Sequence, residues 1–174
     1  RIKDLTDAQR AGTLKFKRET QLKMKSGESE VSVSREDSIT QYGKTDGSFK
    51  AGAEALVGHR KMAAEVESSG AVKTVQGVNF GVASASIDSE GTVRMELSIP
   101  GTDYGAYSEF NHEKGTFGGG VSVEKEVSKD TKVKTDYGIS MQGARLERAQ
   151  DIASMEDSSA IFGALPEQKK AASR

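Results

Sequence analysis

The chain of 174 residues has no cysteine and only two prolines. Without cysteine there is no disulfide framework, no thiolate zinc site and no cysteine nucleophile, and the redox compartment is left open. Neither sign of charge dominates: 25 Lys and Arg stand against 26 Asp and Glu, a formal net charge of −1. Nucleic-acid affinity rests on clustered, excess Lys and Arg, so nucleic acid is not expected as a partner. No uninterrupted apolar run approaches the roughly 18 residues that cross a bilayer as a helix. Large apolar residues are scarce as well. Leu, Ile, Val and Phe make up about a fifth of the chain, near the disordered range, but disorder also requires a large net charge. One folded domain with a thin core is expected over residues 1–174, of a size that folds without metal or disulfide. Arg1 is not a natural translation start, so the chain is expected to be a fragment or processed product, with any signal peptide outside it.

What the chain does have is alternation. From Thr92 to Ile99 the odd positions are Val93, Met95, Leu97 and Ile99, and the even ones are Thr92, Arg94, Glu96 and Ser98. A period of two places the two sets on opposite faces of a β-strand. The odd set is expected to be buried and Arg94 and Glu96 wet. The pattern recurs from Leu14 to Met141, and most of the 19 glycines fall between or inside the alternating runs, where tight turns and close strand packing use them.

Turn signals divide this stretch. Ser26-Gly27, Thr45-Asp46-Gly47, Ser69-Gly70, Ser89-Glu90-Gly91, Pro100-Gly101, Glu113-Lys114-Gly115 and Ser128-Lys129-Asp130 read as turns. Val72 to Ile87 reads as one long segment with Gly77 and Gly81 as bulges or kinks. Short connections between successive strands mean antiparallel neighbours. The expected fold is therefore mainly β, an antiparallel meander of about nine or ten strands over residues 13–142, curled or barrel-like. A helical lead-in is expected at 1–12, where Thr6 and Gln9 fit a capping box and Gly12 a C′ glycine. Leu146, Ala149, Ile152 and Ala153 recur at helical spacing, so the 143–165 segment is expected to be helical and to lie on the sheet, with a tail at 166–174.

Few residues suggest chemistry. His59 and His112 each follow a strand-like segment in a charged turn, a setting for solvated histidines rather than a metal pair, and no metal or cofactor is expected. Tyr42, Tyr104, Tyr107 and Tyr137 offer stacking surfaces, but tyrosines at strand ends commonly pack with a wet hydroxyl. Gly118-Gly119-Gly120 opens no helix and does not form a phosphate cradle; it suits a bulge or a close backbone approach. Glu-x-Glu occurs at Glu28/Glu30, Glu65/Glu67 and Glu124/Glu126, which on a strand puts both carboxylates on one face. Arg60, Ser84-Ala85-Ser86 and Glu124-Lys125-Glu126 together resemble the order Arg, Ser-x-Ser, Glu-x-Glu of mono-ADP-ribosyltransferase toxins. The resemblance covers a handful of residues and lacks the family's central Thr, having Ala85. It implies Glu126 as the catalytic carboxylate, Glu124 as its partner, Ser84 or Ser86 as a scaffold and Arg60 as the dinucleotide anchor. The contrary expectation puts Glu124 and Glu126 on a solvated face, paired with Lys132 and Lys134.

The composition suits a non-catalytic binding or structural module of a larger secreted or surface-exposed bacterial-type protein, an adhesin or toxin part whose partners are proteins or other domains of its parent chain. A membrane-acting toxin is the second class, because segments such as Val78 to Ile87 and Gly105 to His112 have the alternation of barrel hairpins. Lys and Glu on the face taken as outward, and Arg18, Arg35 and Asp37 on the apolar face, stand against it.

Overall fold

A computed structural model of the chain describes residues 12–143. The chain divides into two compact units. Leu14–Ser140 carries the fold, and of the other, made of Arg1–Thr13 and Met141–Arg174, only residues 12–13 and 141–143 are described. The helices expected at 1–12 and 143–165 and the tail at 166–174 lie outside the described residues, apart from Gly12 and Gly143. No described residue is helical.

Ten strands follow one another: β1 Thr13–Ser26, β2 Ser29–Thr40, β3 Thr45–Val57, β4 Arg60–Glu67, β5 Val72–Asn79, β6 Ala83–Asp88, β7 Thr92–Ser98, β8 Tyr104–Asn111, β9 Thr116–Ser128 and β10 Thr131–Gln142. Each pairs with its sequence neighbours, and β1 lies beside β10, so the meander closes into a barrel. Closure leaves no strand edge along the ring, which removes the pairing hazard of an open sheet. Odd-numbered strands run from a first rim, formed by the turns at 41–44, 68–71, 89–91 and 112–115, to a second rim formed by 27–28, 58–59, 80–82, 99–103 and 129–130.

Two boundaries differ from the sequence reading. Thr45-Asp46-Gly47 is not a turn; it opens β3, with Thr45 opposite Ile39 and Gly47 opposite Asp37. The chain reverses just before it, where Gly43 takes a φ of 84° and the Thr40 hydroxyl oxygen accepts from the backbone N–H of Tyr42 and Lys44. Val72 to Ile87 is two strands, broken at Phe80–Val82. There Gly81, with a φ of 85°, donates its N–H to Asn79 Oδ1 at 2.8 Å. Gly77 is no bulge, since it sits in register opposite Ser86, where an added Cβ would strike the backbone of Ala85 and Ser86.

The larger difference is which face is inside. Met95 and Leu97 are 47% and 62% exposed, while Arg94 and Glu96 point into the barrel. Tyr137 and Ile139 of β10 also face out. The same holds around the ring: Phe16, Leu22 and Met24 of β1 face out, and Lys17, Glu19, Gln21 and Lys23 face in. Among the described apolar residues only Tyr107 is buried. Alternation alone cannot fix polarity, because a slip of one residue exchanges the two faces without changing the pattern.

Candidate functional site

Closing ten strands with their charged faces inward produces a polar lumen. Its cavity is about 570 Å³, and nine basic and eleven acidic side chains line it. The lining runs from Glu67, Asp88, Glu90 and Lys114 near the first rim to Lys23, Glu30, Glu54 and Lys61 near the second. Carboxylates and ammoniums held so close in a confined space must pair or stay hydrated, and most of them pair.

The pairing is uneven around the ring. On the β3–β6 wall the bridges run between adjacent strands: Lys61 to Glu54 at 3.0 Å, Lys50 to Glu65 at 3.7 Å, and Lys73 to Glu65 and Asp88 at 3.9 and 3.6 Å. Lys50 also reaches Glu19, two strands away, at 3.1 Å. On the opposite side the bridges cross the lumen. Lys17 of β1 meets Glu109 of β8 at 3.3 Å, and Lys23 of β1 meets Glu124 of β9 at 3.0 Å. Lys134 of β10 meets Glu96 of β7. The β1–β8 and β7–β10 pairs stand three places apart on the ring.

Arg94 is the hub of the crossed side. Its guanidinium reaches Asp136 at 2.7 Å, Glu96 at 3.3 Å and Glu109 at 3.4 Å, uniting β7, β8 and β10. It also lies 4.1 Å from the ring centroid of Tyr107, a cation–π contact. Tyr107 needs room beneath it, and glycines supply it. A Cβ on Gly138 would collide with the Tyr107 hydroxyl, and one on Gly118 or Gly120 with the backbone of β10. The glycine triplet is thus a close backbone approach inside β9, not a bulge. Near the first rim Asn111, 1% exposed, ties two turns together: its amide N–H donates to Glu90 O and Thr92 Oγ1, and its Oδ1 accepts from Lys114 N–H.

The outer wall has the opposite chemistry. Val, Ala, Leu, Ile and Met fill the middle of the strands, and all ten strands contribute. Five phenylalanines lie within the described residues, Phe16, Phe49, Phe80, Phe110 and Phe117, and all five are exposed. Phe80 lies in a turn, Phe110 and Phe117 flank one, and the Phe49 carbonyl accepts from Ser68 in another. Tyr42 and Tyr104 are exposed at a turn and at a strand start. Charge on this wall lies towards the rims: towards the first, Asp37 bridges Arg18 at 3.4 Å and Arg35 at 3.0 Å, and towards the second Arg60 and Lys125 are exposed. Arg35 also stacks 4.7 Å from the Phe49 centroid.

The residues singled out by the enzyme resemblance do not meet. Arg60 opens β4 and is exposed, on the outward parity with Met62; Glu124 faces the lumen from β9, five places away around the ring in either direction. Ser84 and Ser86 are on β6, and Glu126 is exposed near the second rim. Glu124 pairs with Lys132 at 3.8 Å, as the alternative reading expected, and with Lys23, whereas Lys134 goes to Glu96. Both histidines sit in exposed turns, His59 with its ring nitrogen 3.0 Å from Asn79 O and its ring against Phe80. No group of His, Cys, Asp and Glu suited to a metal occurs among the described residues. The Arg94 network was missed by reading Arg94 and Glu96 as solvated; the signal for it was that the charged faces of β1, β3, β4, β7 and β10 mix both signs, as a self-neutralising interior requires. Compared with models of protein families and with curated proteins, the chain matches none.

Proposed function

We propose that this chain is a membrane-spanning β-barrel whose outer wall faces lipid and whose charged lumen faces water. The observation that carries the reading is the inversion: an apolar belt surrounds a closed barrel, while the interior is an ion-paired network and Tyr107 is the only buried apolar residue among those described. In hydrocarbon every backbone N–H and C=O must be satisfied within the protein, which a closed barrel achieves and an open sheet does not. Apolar outward residues alternating with polar inward ones, and aromatics towards both interfaces, are the pattern of such barrels. Exposed Phe80 and Tyr104 at the second rim, with Phe110 and Phe117 at the first, support it. Strands β4 to β8, of six to eight residues, are shorter than the usual span of about 9–11. Exposed Phe80, Val82 and Ile99 in the adjoining turns continue the belt beyond them.

The objection that Lys and Glu occupy the outward face falls away, because that face is the lumen. The charges on the outer wall lie towards the rims, Arg18, Arg35 and Asp37 paired with one another towards the first and Arg60 and Lys125 towards the second, where headgroups and water solvate them. A binding or structural module of a secreted or surface protein would concentrate its apolar surface on one docking face, and here the belt goes all the way round. The test is refolding of the full chain with phosphatidylcholine vesicles. The protein should float with the lipid and stay with it through an alkaline carbonate wash. A protein that stays in the aqueous phase as a folded monomer would overturn the proposal.

A further inference from the structure

Resting on the membrane reading, we infer that the lumen is a conduction path for small monatomic cations. The cavity is lined from one rim to the other by polar groups. An eight-residue strand rises about 26 Å, or ~20 Å along the axis of a tilted barrel. Spread over that length, 570 Å³ leaves room for a file of water and ions along the axis.

The sign of the lining sets which ions pass. Acidic side chains outnumber basic ones there, and three of them, Glu30, Glu36 and Glu67, make no ion pair among the described residues. They stand at both rims, Glu30 beside the second, Glu36 and Glu67 beside the first. Asp136 adds a second kind of observation. It is 6% exposed and gives Oδ2 to Arg94, and its Oδ1, shut off from solvent, has no hydrogen-bond partner among the described residues. A buried carboxylate oxygen without a partner calls for a water or a cation. Rings of carboxylates in a low-dielectric wall concentrate cations and exclude anions.

The test is single-channel recording of the full chain in planar lipid bilayers under a potassium chloride gradient, with insertion established separately by vesicle flotation. The reversal potential should report a cation-to-anion permeability ratio of about three or more. Glu36→Gln with Glu67→Gln should lower that ratio about twofold, and Lys15→Gln, which removes a lining base that makes no ion pair among the described residues, should raise it. Because these side chains lie near the first rim, the variants should float with vesicles like the parent. Protein that floats but gives no conductance above bare lipid, or that favours chloride, or whose ratio ignores all three substitutions, overturns the inference and leaves the membrane reading standing. Failure to float overturns both.

Discussion

Along β7 the two walls of the barrel can be compared one residue at a time. Met95 and Leu97 are exposed to the surroundings, whereas Arg94 and Glu96, their immediate neighbours, make four ion pairs, with each other, with Glu109 of β8 and with Asp136 and Lys134 of β10. The backbone is the same, so the difference lies in the medium each wall meets. A wall built for water would carry charge where Met95 stands, and a dry core would not accept Arg94 with three carboxylates. On the proposed membrane reading the outer wall is the dry side of this molecule, and the inner wall the wet one.

Placing a charge on the outer wall should break this contrast most severely. Met95→Arg, near the middle of the belt, should destabilise the bilayer-inserted barrel by about 2–4 kcal/mol, measured as a lower urea midpoint for the protein in vesicles. An effect below the error of the titration would mean that the wall faces water. Arg94→Gln attacks the other wall, leaving Glu96, Glu109 and Asp136 without their shared cation. A loss of about 2–3 kcal/mol is expected, short of the 3–5 typical of a fully buried pair because the lumen is wet.

Two smaller effects sharpen the comparison. Gly120→Ala would put a methyl against the backbone of Tyr137 and Gly138, and about 1–3 kcal/mol of overpacking strain should follow. Asp37→Asn leaves Arg18 and Arg35 in place on the outer wall. If that cluster lies at the interface the change should leave the urea midpoint in vesicles where it was, and a clear loss would place it deep in hydrocarbon, against the account.

Much of the architecture was legible in the sequence. Val93, Met95, Leu97 and Ile99 alternating with polar residues located β7, Ser69-Gly70 and Glu113-Lys114-Gly115 located turns, and the shortness of the connections gave antiparallel neighbours and the meander. The turn at residues 41–44 was missed because Asp46-Gly47 is the stronger turn dipeptide, and here it is held in the ladder opposite Asp37 and Ser38. Polarity was not legible from any one strand, since a face is dry or wet according to what closes over it. It required the ring: only after β1 meets β10 do Lys17 and Glu109, or Lys134 and Glu96, become neighbours. The scarcity of large apolar residues, read as a thin core, is the composition of a barrel that has no apolar core.

The contrast between walls can be measured directly, because a chain without cysteine accepts single labels. Nitroxide spin labels on single cysteines replacing Ala85, Ile87, Met95 and Leu97, and on others replacing Ser84 and Ser86, would report collisions with oxygen, enriched in lipid, and with a water-soluble nickel chelate. In vesicles the first four should collide preferentially with oxygen and the two serine positions with the chelate, alternating along β6. Equal chelate accessibility at all six positions, or the inverse alternation, would contradict a lipid-facing outer wall.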